Sequence, residues 1–120
     1  MEKTRAVIEN LLLDLDITFD TEEQRDSTVA FSGFMLHMLK VFVRKNKQYG
    51  NSFEEVGAKG AYIEIQAKHA RLRELLWKAD AESIAQHLGD IQQNSLDLSI
   101  YGVILCMCMA AGNVYGVDNE

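Results

Sequence analysis

Apolar residues recur at three- and four-residue spacing along most of this chain, whereas the strict alternation typical of a half-buried strand is absent. The 120 residues include no proline, so long helices can run without interruption. This pattern predicts an all-α fold in which four main helices form a bundle, with a short helical turn between the second and third long helices.

Capping signals and glycines set the expected bounds of these helices. Thr21 followed by Gln24, and Ser52 followed by Glu55, have the form of capping boxes. The short turn that begins at Ser52 is expected to end at the two glycines of residues 57–60. The main helices are expected over residues 3–15, 21–47, 61–78 and 82–111. We expect one domain over residues 1–120, with an N-terminal helix and linker in 1–20 and a flexible tail in 112–120.

The fourth helix changes character near Leu98. Before this point it is amphipathic, but from Leu98 to Ala111 it is apolar on nearly every side, which usually means burial all round. Three other helices of this size can hardly surround it, so we expect a homo-oligomer in which this segment and the Phe31–Phe42 face meet another subunit. A central helix in a monomeric bundle is the alternative.

Charge and composition narrow the range of partners. The chain has 12 Lys and Arg against 18 Asp and Glu, a net charge of −6, which argues against a basic footprint on duplex nucleic acid. The longest apolar run, residues 100–111, is about half the length that spans a bilayer, so no membrane partner is expected. Cys106 and Cys108 are expected to be reduced core residues of a cytoplasmic protein. The three histidines lie too far apart in sequence for a local metal motif.

The third helix combines apolar and cationic residues. On a helical wheel, Gln66, His69 and Arg73 fall inside the arc of its apolar residues. That apolar arc is expected to contain Tyr62, Ile63, Ile65, Ala70, Leu72, Leu76 and Trp77. Glu64, Lys68 and Arg71 form a separate stripe on the polar side. This stripe is either a solvated face with a Glu–Lys pair or the cationic part of a phosphate site.

The fourth helix carries an acidic stripe that matches these cations. Asp90, Asn94, Asp97 and Tyr101 recur at i, i+4, i+7 and i+11, so they share one side of the helix. Such a stripe can hold a divalent ion, accept hydrogen bonds from a base or sugar, or pair with Arg71 and Lys68 across a helix interface. Spacing alone leaves these alternatives open.

Three segments of the chain resemble a known family. They are residues 45–53 (Lys-Asn-Lys-Gln-Tyr-Gly-Asn-Ser-Phe), Lys68-x-x-Arg71-Leu72 and residues 96–101 (Leu-Asp-Leu-Ser-Ile-Tyr). Together they look like the nucleotide-modification-associated domain, first class, an all-helical phage and bacterial family. The resemblance implies a phage or prophage protein tied to nucleotide chemistry. The positions that it marks are Lys47, Tyr49, Asn51, Ser52, Lys68, Arg71 and Asp97.

A wider resemblance is to the all-α pyrophosphatases of the MazG type, which hold Mg²⁺ with E-x-x-E on one helix and E-x-x-D on the next. The first motif would begin at Glu64, but Ala67 occupies its second acidic position. The second motif would read Asn94-x-x-Asp97, with an amide in place of the first acid. Half of the acidic quartet is absent, which puts metal-dependent hydrolysis in doubt more than ligand binding.

These observations predict a phage-type protein that holds a phosphate-bearing nucleotide in a cleft without necessarily cleaving it, and that requires no cofactor. Its role would be to support nucleotide modification or to sequester a nucleotide defence signal in the host cytoplasm. The alternative is an Mg²⁺-dependent nucleoside triphosphate pyrophosphohydrolase that uses Glu64, Asp90 and Asp97, and a third possibility is an interaction protein. The expected nucleotide-binding residues are Lys47, Tyr49, Asn51, Ser52, Tyr62, Lys68, Arg71, Asn94, Asp97 and Tyr101.

Overall fold

The computed structural model describes residues 2–50 and 53–116, with only the backbone for Tyr49. These residues form helices and no strand, as the sequence predicts. The helices are α1 (Glu2–Asp14), α2 (Glu22–Tyr49), α3 (Phe53–Leu72), a π-helical turn (Arg73–Trp77), α4 (Ala81–Gln86) and α5 (Leu88–Ala110). In the described part of the chain, no helix is long and apolar enough to cross a membrane. The chain divides into two compact units, one up to Lys45 and one from Asn46 onward.

The first unit is built from α1 and most of α2. Ile8, Leu12 and Val29 are buried together, and Phe19 and Leu36 pack against them. The start of α2 follows the predicted capping box, because the Thr21 hydroxyl accepts a hydrogen bond from the Gln24 amide at 3.1 Å. The Gln24 side chain in turn accepts from the Asp20 amide at 3.0 Å.

The second unit is organised around α3 and α5, which make the most extensive helix contact among the described elements. The two helices are antiparallel, since later residues of α3 meet earlier residues of α5. Ala58 and Ala61 of α3 are buried, as are Ile104 and Cys108 of α5. The small alanines let the two helices approach closely.

Two predicted bounds differ from the structure. The predicted fourth helix is interrupted at His87, whose backbone leaves the helical region at φ −116° and ψ 22° and separates α4 from α5. The predicted break at Gly60 is absent, whereas the break at Gly57 is present, with φ 69° and ψ 175°. The third helix therefore resumes at Ala58, three residues earlier than expected, and ends in the π-helical turn.

The start of the C-terminal tail also differs from the expectation of a flexible segment. Residues 113 and 114 present their backbone carbonyls to α3, where the amides of Ala58 and Lys59 donate hydrogen bonds to them at 3.0 Å each. The Asn113 side chain donates to the carbonyl of Glu54 at 2.7 Å. These bonds satisfy helix-start amides that would otherwise lack partners. Residues 117–120 lie outside the described residues.

Candidate functional site

The strongest cluster of predicted site residues lies along the contact between α3 and α5. The Lys68 ammonium is 3.7 Å from the Asp97 carboxylate, and their side chains are 29% and 16% exposed. The other oxygen of Asp97 accepts a hydrogen bond from the side-chain amide of Gln93 at 2.9 Å. The predicted cation and the predicted acid are therefore close neighbours at a half-buried position between two helices.

A second and more exposed pair lies one turn farther along α3 and two turns earlier along α5. The Arg71 guanidinium is 4.0 Å from the Asp90 carboxylate, and both side chains are more than half exposed. Asn94, one turn beyond Asp90, donates its side-chain hydrogen bond to the backbone carbonyl of Asp90 at 2.8 Å. Water can reach this end of the cluster, so a soluble ligand can reach it as well.

Tyr101 closes the buried end of the cluster. Burial raises the pKa of its phenol above the ordinary value of 10.0, and the negative charges of Glu64 and Asp97 raise it further. Both carboxylates must therefore lie close enough to the phenol for their charges to act on it. The Lys68–Asp97 pair and the Tyr101 phenol thus form one half-buried polar group, and the Glu64 carboxylate lies near enough for its charge to act on the phenol.

The remaining predicted binding residues either lie away from the α3–α5 contact or fall outside the described residues. Lys47 is exposed in the last turn of α2, and the Tyr49 side chain is not described. Asn51 and Ser52 lie outside the described residues. Tyr62 is 54% exposed, and its hydroxyl accepts a hydrogen bond from Gln66 at 3.2 Å. The structure therefore brings together Lys68, Arg71, Asn94, Asp97 and Tyr101, but it gives Tyr62 no contact with this cluster.

The expected apolar arc of α3 is only partly confirmed, since Ile65 and Leu72 are half-buried whereas its larger members are not. Tyr62, Ile63 and Trp77 are exposed, and so are Gln66, His69 and Arg73, which were expected to be buried with them. The side that packs on α5 includes the buried Ala58 and Ala61 and the cation Lys68. The wheel did not predict this side, because small residues and a cross-helix ion pair contribute to the contact.

The acids proposed for Mg²⁺ do not converge. Asp90 and Asp97 are seven residues apart on one helix, about 10 Å along its axis, whereas Mg²⁺ holds its ligands at roughly 2.0–2.1 Å. Each of the two carboxylates also faces its own cation. Among the described residues, no group of three or more His, Cys, Asp or Glu side chains is arranged to hold a metal ion.

A cleft that the sequence did not indicate lies in the first unit. It has a volume of about 470 Å³, an apolar floor that includes Leu12, Ile17 and Phe19, and a rim that includes Glu9 and Arg25. The Arg25 guanidinium is 3.4 Å from the Glu9 carboxylate. Since carboxylates outnumber cations around this cleft, it is poorly suited to a phosphate, and no predicted binding residue lines it.

Comparison of the chain with models of protein families, with curated proteins and with solved structures gave no match. The site is therefore interpreted from its own geometry. Gln93 is the polar partner that sequence reasoning missed, although its position four residues before Asp97 on a helix was a usable signal.

Proposed function

We propose that this protein binds a phosphate-bearing nucleotide at the α3–α5 contact and does not need to cleave it. The observation that supports this proposal is the loose engagement of two neighbouring cations. Lys68 and Arg71 are 3.7 and 4.0 Å from their carboxylate partners, farther than an N–H···O hydrogen bond. Both cations can therefore turn to phosphate oxygens and form shorter charge-assisted bonds there.

The other groups of the cluster suit the remainder of a nucleotide. Asp97 and Asn94 can accept hydrogen bonds from the edge of a base or from a ribose hydroxyl, and the Tyr101 ring offers an aromatic surface beside them. The resemblance in residues 45–53 adds Lys47, Tyr49, Asn51 and Ser52 as further contacts. A phage would use such a protein in the host cytoplasm, to support nucleotide modification or to sequester a nucleotide defence signal.

Isothermal titration calorimetry with a panel of cyclic, linear and triphosphate nucleotides tests binding. Arg71→Ala should weaken binding about 10- to 150-fold, which corresponds to roughly 1.5–3 kcal/mol for a hydrogen bond to a charged group. Lys40→Ala removes an exposed lysine of α2 and serves as the matched control. Native mass spectrometry of the purified protein would show any nucleotide retained during purification. Absence of heat with every nucleotide at millimolar concentration would favour the interaction protein instead.

The alternative function is an Mg²⁺-dependent pyrophosphohydrolase. One observation favours it. The negative charges of Glu64 and Asp97 both raise the pKa of Tyr101, so the two carboxylates lie near the same phenol. Incubation with nucleoside triphosphates and Mg²⁺ would release monophosphate and pyrophosphate, and Glu64→Gln would abolish this release. Unchanged nucleotides alongside measurable binding would reject the alternative and leave the binding proposal intact.

We also propose that the protein is a homo-oligomer. Phe31, Phe34 and Met35 of α2 are each at least half exposed in the single chain, and so are Val103 and Met109 of α5. Large exposed apolar patches of this kind usually mark protein contacts. The apolar segment from Leu98 onward is buried on one side only, at Ile104 and Cys108, so a second subunit would cover the rest.

A further inference from the structure

One exposed line of residues along α3 has an unusual composition. Its residues recur at i, i+4, i+7, i+11 and i+15, so they follow one line along the helix. All of them are exposed, and Trp77 is 81% exposed. We call this line the outer stripe; it consists of Tyr62, Gln66, His69, Arg73 and Trp77.

The π-helical turn helps to keep the outer stripe in line. The amide of Lys78 donates to the carbonyl of Arg73 at 3.0 Å, which closes a five-residue turn wider than that of an α-helix. Because each residue of this wider turn rotates the chain by less than 100°, Trp77 remains on the side of Arg73 and does not drift past it. An aromatic residue and a cationic residue therefore follow each other at one end of the stripe.

The docked tail adds an aromatic ring and a cation at the other end. The Lys59 ammonium lies 4.6 Å from the centre of the Tyr115 ring and 3.4 Å from its hydroxyl. Tyr115 is 79% exposed, so most of its surface is open to a ligand. The backbone bonds from α3 to residues 113 and 114 fix the tail beside Lys59.

The charge of this face also differs from that of the chain. Lys59 and Arg73 contribute two cations to this face. The nearby acid Glu64 is not part of the stripe, and its charge acts on the Tyr101 phenol of α5. Glu74, next to Arg73 in sequence, is bonded to Lys78 at 2.9 Å. A chain of net charge −6 thus presents a face on which aromatic rings alternate with basic and amide groups.

We propose that the outer stripe, together with Lys59 and Tyr115, binds single-stranded nucleic acid. Exposed bases stack on aromatic rings, and cations between those rings contact the phosphates. From Lys59 to Trp77 the helix extends about 27 Å, which accommodates at most about eight stacked nucleotides. Duplexes keep their base faces covered, so this surface favours single strands. The inference is independent of the nucleotide site between α3 and α5, because none of its residues belongs to the Lys68–Asp97 or Arg71–Asp90 pair.

The single tryptophan of the chain provides a direct measurement. Trp77 fluorescence should be quenched in a saturable manner by 12-residue oligothymidylate or oligouridylate, because a stacked base contacts the indole. The two oligonucleotides distinguish DNA from RNA, and a blunt 12-base-pair duplex should quench much less. With two phosphate contacts, the logarithm of the association constant should fall with the logarithm of salt concentration at a slope of about −1.4.

Variants locate the surface through the anisotropy of a labelled oligonucleotide. Tyr62→Ala should weaken binding roughly 5- to 150-fold, whereas Tyr62→Phe keeps the ring and should retain most of the affinity. Arg73→Ala should also weaken binding, whereas Lys40→Ala should have little effect. Circular dichroism shows whether each variant keeps its helices.

Three outcomes would overturn the proposal. One is the absence of quenching by either oligonucleotide at millimolar concentration. Another is tryptophan emission that changes with protein concentration alone, since that would make the stripe a contact between copies of the chain. The third is an equal loss of oligonucleotide affinity in Lys68→Ala and Arg73→Ala, which would place the oligonucleotide between α3 and α5. Failure of mononucleotide binding with retained oligonucleotide binding would reject the nucleotide site only.

Discussion

The Lys68 ammonium and the Asp97 carboxylate face each other at 3.7 Å across α3 and α5, at the most extensive helix contact of the described chain. The residues proposed to bind a ligand therefore also hold two helices together. A phosphate that recruits Lys68 must replace Asp97 as its partner, and Asp97 would keep its hydrogen bond from Gln93. Ligand binding and the stability of the second unit should consequently be linked.

The Lys68–Asp97 pair should contribute measurably to stability. Lys68→Ala leaves the Asp97 carboxylate without a cation at a side chain that is 16% exposed, so we expect a loss of about 1–3 kcal/mol in the free energy of unfolding. A double-mutant cycle with Asp97→Ala, followed by urea denaturation, should give a coupling energy of about 0.5–3 kcal/mol.

The Arg71–Asp90 pair is the matched control for this cycle. It links the same two helices, but its distance is 4.0 Å and both side chains are more than half exposed. Solvent-exposed pairs contribute about 0–1 kcal/mol, so its coupling energy should be much smaller. Equal coupling energies for the two pairs would contradict our view that burial distinguishes them.

Tyr101 should make stability depend on pH in the alkaline range. Because burial, Glu64 and Asp97 raise its pKa in the folded state, the unfolded chain loses the phenolic proton first as the pH rises. The contribution of Tyr101 to the free energy of unfolding is therefore complete below the ordinary pKa of 10.0. It is lost as the pH rises from there through the raised pKa. Urea denaturation across this range should show a falling free energy of unfolding.

Variants separate this effect from general alkaline unfolding. Tyr101→Phe should remove the part of the slope that belongs to this phenol, and Asp97→Asn should reduce it because one of the negative charges is lost. If stability falls with pH equally steeply in Tyr101→Phe and in the unaltered chain, the phenol is not a half-buried group beside Glu64 and Asp97.

Gly57 should tolerate no side chain. A Cβ at this position would lie 2.8 Å from the carbonyl carbon of Tyr115 and 2.8 Å from the carbonyl oxygen of Val114, and its φ of +69° disfavours other residues. We expect Gly57→Ala to cost roughly 1–3 kcal/mol and to detach the tail from α3. Hydrogen exchange at the Ala58 and Lys59 amides, which bond to the tail, should accelerate.

Gly89→Ala provides the control in the same unit. Nothing lies within 4 Å of a Cβ built at Gly89, in the first turn of α5, and its φ lies outside the left-handed region. This substitution should be neutral or stabilise by up to about 1 kcal/mol. Unchanged exchange at Ala58 in the Gly57→Ala variant would show that the tail is held by something other than this close approach.

Local signals in the sequence predicted local structure well. The box of Thr21 and Gln24 begins α2 as expected, and Gly57 interrupts the chain as expected. The docking of the tail could not be predicted in this way, because the bonds from Ala58 and Lys59 join residues more than 50 positions apart. Nothing in the sequence near Gly112 indicates a partner at the start of α3.

The candidate site was predicted through chemistry more than through packing. The matched cationic and acidic stripes do pair, Lys68 with Asp97 and Arg71 with Asp90. The wheel nevertheless placed Tyr62 on the inward side of α3, together with other apolar residues, and Tyr62 is exposed. Hydrophobicity identifies an inward face only where apolar contact supplies most of the packing energy, and here small residues and ion pairs share that task.

The apolar side of α2 leads to a prediction about assembly. Val29 and Leu36 pack toward α1, whereas Phe31 and Phe34 lie on the opposite side of the helix and are 67% and 60% exposed. A second copy that pairs its own α2 with this side would bury aromatic surface on the order of 150–250 Å² per ring. Sedimentation velocity over a range of concentrations should show an oligomer, and Phe34→Ser should shift it toward the monomer.

Ile63→Ser is the control for this prediction, because Ile63 is 62% exposed but belongs to α3. Ile63→Ser removes exposed apolar surface from α3 and not from α2. If assembly depends on α2, the mass of the oligomer should therefore stay unchanged. Since Phe34 contributes little to the core of its own unit, Phe34→Ser should lower the mass without unfolding the chain. A monomer at every concentration before any substitution would show that the aromatic side of α2 does not mediate self-association.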